Sequence, residues 1–171
     1  MLNEHAKLLA VFKQTGEIVG RKKLQKLIYI AKKMNFPFFE KYQFHFYGPY
    51  SEELNLRMEE MCHLSFVEEV REKKAGYYQY RYTLSEQGDE FLNLSNYELP
   101  EEKGILNELN EQSAKFLELV STILYFDDLP KEEVADKVYT LKAKQNYTET
   151  DLEEAYQFID RLKASSQGQV S

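Results

Sequence analysis

The chain has 171 residues, 43% hydrophobic and 30% charged, a mixture that suits one domain or a small domain with a helical extension. Its formal charge of −7 disfavours non-specific nucleic-acid binding by the whole molecule, and its one cysteine, Cys62, excludes an internal disulfide or a cysteine-based zinc site. No run approaches the roughly 18 apolar residues of a membrane span, and the start, with Glu4 and His5 and no small-residue cleavage site, is unlike a signal peptide. No membrane association is expected, and the expected location is cytoplasmic.

Residues 2–15 place Leu2, Ala6, Leu9, Ala10 and Phe12 at helical spacing, and Gly16 and Gly20 read as breaks. From Arg21 to Met34, Leu24, Leu27, Ile28, Ala31 and Met34 follow the i, i+3, i+4, i+7 rule of an amphipathic helix. Lys22, Lys26 and Lys33 then fall on the opposite side with Tyr29 beside them, and Arg21, Lys23 and Lys32 lie nearby. Asn35-Phe36-Pro37 closes that helix, because the residue before proline is pushed out of the α region. Gln43–Tyr47 is a strand candidate ended by Gly48-Pro49. Ser51 is the predicted N-cap of the next helix, with Glu52 and Glu53 favourable at its positive end.

Phe66–Arg71 and Tyr77–Leu84 read as strands joined through residues 72–76, with Tyr78, Tyr80, Tyr82 and Leu84 on one face. Ser85 caps a helix carrying Phe91, Leu92 and Leu94. Beyond Pro100 the pattern is helical: Leu106 to Leu124 as one long helix, interrupted near Asp127-Asp128-Leu129-Pro130, then a helix opened by Pro130. Thr148-Glu149-Thr150-Asp151 caps the last helix, and residues 165–171 form a polar tail.

Charge divides unevenly along the chain. Lys13 to Lys41 holds eight Lys/Arg against two Glu, whereas Glu86 to Leu119 holds nine Asp/Glu against two Lys. Six cations on one helix repel at i, i+4 by a few tenths of a kcal/mol each, so something should offset them. The acidic stretch Glu86–Glu118 could do so, making the basic stripe internal or a surface for self-association; a solvated helix face is the bland alternative.

Arg21-Lys22-Lys23-Leu24-Gln25-Lys26-Leu27-Ile28-Tyr29-Ile30-Ala31, followed by Tyr47-Gly48-Pro49-Tyr50-Ser51-Glu52-Glu53-Leu54, resembles a bacterial family labelled YwgA, through most of the chain. More distantly, over roughly residues 20–60, the Lys-Leu-Gln-Lys-Leu and Tyr-Gly-Pro pairing is similar to Panacea (SocA-like) domains. That likeness implies binding of protein partners, in toxin neutralisation or as a proteolytic adaptor, and carries no catalytic residues. Phe66–Phe91, with Leu84-Ser85-Glu86-Gln87-Gly88, resembles the wing and following helix of winged-helix regulators. The expected fold is therefore mainly α with a small antiparallel β-hairpin. A winged-helix-like half (1–97) is expected to pack with an α-helical half (98–164), ahead of the tail.

No phosphate-binding glycine loop, nucleophile elbow or metal-protease motif is present, so the expectation is a non-catalytic protein without cofactor or metal. The helix in the recognition position, Ser51–Cys62, carries four Glu and one Arg and would be repelled by phosphates. A protein partner is accordingly favoured over nucleic acid. The expected macromolecule-binding residues are Arg21, Lys22, Lys26, Tyr29, Lys33, Tyr47 and Tyr50. The alternative is a DNA-binding regulator that forms a homodimer through its C-terminal helices and touches nucleic acid with the basic helix and with Lys73, Lys74 and Arg81. A small-molecule sensor with an aromatic pocket is a third reading.

Overall fold

The computed structural model describes residues 3–100 and 104–167. Leu2, residues 101–103 of the expected helical half, and residues 168–171 of the expected tail lie outside the described residues. Helix α1 (Asn3–Thr15) leads into a three-residue strand β1 (Glu17–Val19) and helix α2 (Arg21–Lys33). A small hairpin, β2 (Gln43–His45) with β3 (Gly48–Tyr50), separates α2 from α3 (Glu52–His63). A longer hairpin, β4 (Val67–Lys74) with β5 (Tyr77–Leu84), precedes α4 (Glu86–Ser95). The remaining helices are α5 (Ile105–Asn110), α6 (Ala114–Tyr125), α7 (Lys131–Leu141) and α8 (Glu149–Gln167). The described chain is thus mainly helical with two small antiparallel sheets.

The larger sheet has the order β1-β5-β4, with Ile18 opposite Tyr82 and Lys74 opposite Tyr77. The strands depart from the sequence expectation at three places. β1 lies where only glycine breaks were expected; three residues between two turns are too few to show a period. β4 runs on to Lys74, so the connection is the two-residue turn Ala75-Gly76, with Gly76 at φ 78°. Tyr47 is in a turn rather than a strand, and Gly48-Pro49 opens the return strand β3.

Local chemistry explains the helix starts. Ser51 Oγ accepts from the Leu54 N–H and Ser85 Oγ from the Gly88 N–H, each the expected cap. Gly88 has a second cause: a Cβ there would lie 2.1 Å from the Phe66 carbonyl oxygen, so the α4 backbone packs flush against the residue that leads into β4. Thr148 and Asp151 exchange backbone-to-side-chain hydrogen bonds of 2.9 and 3.1 Å at the head of α8. That helix continues through residues 165–167 of the expected tail.

The expected long helix over 106–124 is two helices, α5 and α6, because Ser113 caps a fresh start at Ala114. Together they flank α2. One continuous core joins both halves of the chain, from Leu8 and Phe12 through Leu27 and Ile30 to Val120 and Phe158.

Candidate functional site

Helix α2 is not the amphipathic surface helix that its apolar spacing suggests. Residues 24–31 are buried on every side, since α5, α6, β1 and β3 all pack against it. Gln25 in that run is fixed by its hydrogen bonds to the start of α3. The Gln25 amide donates to the Ser51 carbonyl at 3.0 Å and its oxygen accepts from the Ser51 N–H at 2.9 Å. This clamp joins the two stretches that carry the family resemblance. Gly48, at φ 96°, holds a backbone conformation that side-chain-bearing residues rarely adopt, and a Cβ there would only just touch the side chains of Lys26, Glu118 and Thr122, at 3.4–3.7 Å.

Most of the cations expected on an open stripe are tied down. Arg21 donates to the Tyr82 hydroxyl at 2.6 Å and to Glu69 at 2.8 Å, and its guanidinium lies over the Tyr80 ring. The hydrogen bond to Glu69, opposed by burial, holds the guanidinium above its ordinary pKa. Lys23 donates to the Asn110 carbonyl, Lys32 to the Glu40 carbonyl at 2.6 Å, and Lys33 pairs with Asp127 at 3.2 Å. Lys22 is exposed, its ammonium 3.3 Å from the centre of the Tyr47 ring. Lys26 is only 3% exposed, which corrects its place on a solvated face.

A cleft of about 830 Å³ opens beside these residues. The first half of α2 supplies Arg21, Lys22 and Lys26; the small hairpin supplies His45, Phe46, Tyr47 and Tyr50. Helix α3 supplies Asn55, Met58, Glu59, Cys62 and His63, and the β4–β5 hairpin supplies Glu69 and Tyr82. Five of the seven expected binding residues therefore converge. Tyr29 and Lys33 do not: Tyr29 is buried in an aromatic cluster with Tyr42 and Tyr125, and Lys33 lies a further turn along with Asp127. His45 stacks on Tyr50 with ring centres 4.9 Å apart, and Phe46 is 73% exposed at the hairpin tip. Burial pushes the Cys62 thiol up, so it is not an activated nucleophile.

Beneath the hairpin lies a buried charge cluster that spacing could not reveal. Glu118 on α6 and Lys142, just after α7, are both buried and 4.0 Å apart. Lys142 also donates to the Phe46 carbonyl at 2.8 Å, bracing the hairpin tip. Burial pushes Lys26 down to about 8; Glu118 pulls it back up, while Lys142 and Lys22 push it further down. The acidic stretch ending at Glu118 was a visible sequence signal for an internal partner. Lys142 had none.

The alternative nucleic-acid residues separate into two kinds. Lys73 and Lys74 are exposed near the hairpin tip beside exposed Tyr77 and Tyr78. Arg81 is held between Glu17 and Glu72. On α3 the exposed positions include Glu52, Leu56, Glu59, Glu60 and His63, an anionic face.

Fold and site together define a mainly helical protein with a cleft of mixed aromatic and cationic lining, in which no described helix is long and apolar enough to cross a membrane. The chain belongs to the YwgA family. It is 61% identical to "Uncharacterized protein YwgA" of Bacillus subtilis (strain 168), over 95% of this chain and 98% of that protein. No protein-family model and no solved structure matches the chain.

Proposed function

We propose that this is a non-catalytic, winged-helix-like protein that acts by binding a protein partner in the cleft between α2, the small hairpin and α3. The winged-helix reading is supported by the order α1, β1, α2, α3 and a β4–β5 hairpin, with β1 completing the sheet beside β5. The β2–β3 hairpin is an insertion between the second and third helices. Its residues His45, Phe46, Tyr47, Gly48 and Tyr50 form one wall of the cleft.

The observation that carries a protein partner over DNA is the outward face of α3. Glu52, Glu59 and Glu60 are exposed there, and the helix holds a single arginine, Arg57, which pairs with buried Glu40. Phosphate contacts normally set the register of a DNA reader, and this face would repel them. Exposed Phe46 and Tyr47, with Lys22 over the tyrosine ring, instead resemble the aromatic and cationic anchors of protein interfaces. A toxin-neutralising or adaptor role is the concrete form that the Panacea-like sequence resemblance suggests. Transcriptional regulation is the second reading, favoured only by Lys73 and Lys74 at the wing tip.

The test is affinity capture from nuclease-treated native cells. Wild type is expected to retain one stoichiometric protein that Lys22→Glu plus Tyr47→Ser loses. Tight binding of random duplex DNA at low salt, falling steeply as salt rises, would overturn this reading in favour of the regulator.

A further inference from the structure

Lys26 occupies the wall of the cleft, is 3% exposed, and its ammonium makes no hydrogen bond or ion pair with the described residues. Buried ammonium groups are ordinarily paired, because desolvation penalises a lone charge. Its surroundings do not remove the charge. Glu118 is shared with Lys142, which already has Glu118 at 4.0 Å and the Phe46 carbonyl at 2.8 Å. Two buried ammonium groups therefore face one buried carboxylate, leaving one positive charge over. Water in the cleft would supply Lys26 with hydrogen bonds but no compensating charge. Lys22, at the rim, adds to the positive potential at the same end.

We infer that Lys26 is a seat for one carboxylate, carried into the cleft on an apolar stem. The carboxylate would bring the cluster to two cations and two anions. The stem would lie against Leu24, Met58 and Tyr47 in the same cleft. This inference rests on the cleft being a binding site, as proposed above, but not on its occupant being a protein. The carrier is either an acidic side chain of a polypeptide or a free small acid, which share this chemistry.

Two probe pairs at pH 7 separate the sources: 4-phenylbutyrate against 4-phenylbutyramide, and acetyl-Leu-Glu-Phe-amide against its Leu-Gln-Phe counterpart. Binding is followed by calorimetry, and by the NMR signal of the Lys26 side chain. In at least one pair the acid should bind about 10- to 100-fold more tightly than the neutral analogue, as charge-assisted hydrogen bonds allow. Lys26→Met should abolish that preference, and the bound acid should raise the pKa of Lys26. Preference in the peptide pair names a polypeptide carrier, and preference in the other alone a small acid. Equal affinity within both pairs, no binding to either, or a preference that survives Lys26→Met would overturn the inference. A protein partner retained equally by wild type and Lys26→Met, without carboxylate preference, sinks the seat and leaves the docking reading standing. Carboxylate preference with no captured protein does the reverse.

Discussion

Lys26 shows what one residue's surroundings do to its chemistry. In the unfolded chain it titrates near 10.5; in the fold, burial lowers it to about 8. Between those values the unfolded chain holds a proton that the folded chain has released, so wild-type stability rises with pH relative to a variant lacking the amine. Below about pH 8 both states are protonated and the increment vanishes. Lys26→Met, of similar volume, relieves the buried charge and leaves Glu118 paired with Lys142. At pH 7 it should be as stable as wild type or more so, by up to about 3 kcal/mol. By pH 9.5 wild type should recover about 1–2 kcal/mol of that difference. Urea unfolding of both proteins at the two pH values checks the sign, and a difference constant with pH would count against a depressed Lys26.

At the scale of elements, the arrangement depends on the contact between α2 and the start of α3. Gln25 satisfies both the N–H and the C=O of Ser51, and all three groups are buried. Gln25→Ala strands the buried Ser51 N–H, while the Ser51 carbonyl keeps the Asn55 N–H at 3.2 Å, and should cost about 1–3 kcal/mol. The same change should loosen the small hairpin and widen the cleft, seen as faster amide exchange at Gly48 and Tyr50. Exchange unchanged there would mean that the clamp does not position the site. Helix ends were legible in the sequence because Ser51, Ser85 and Thr148 act within three residues of themselves. The break between α5 and α6 was not: the apolar positions from Leu106 to Leu124 stay close to one helical period across Ser113, and the cap there competes with that pattern.

On the scale of the molecule, α2 is the common floor of both halves. It packs against α5 and α6 on one side and meets β1 and β3 on others, within one continuous core. A helix shared in this way couples the halves, so urea unfolding should follow one transition, coincident by tyrosine fluorescence and far-UV circular dichroism. Two separated transitions would show that residues 3–97 and 104–164 hold together independently. The segregated charges along the chain also meet here. Lys33 pairs with Asp127 beyond the acidic stretch, and Lys26 lies under the influence of Glu118 within it.

The sequence by itself determined the helical character, most strand positions, the caps and the family, because these depend on neighbours a few residues apart or on close likeness to a relative. It also marked five residues that share the cleft. Only the tertiary structure decided which cations remain available, since that depends on charged groups up to 116 positions away, such as Lys142, which repels Lys26. Periodicity places a side chain on a face of its helix. What covers that face is decided by the rest of the chain.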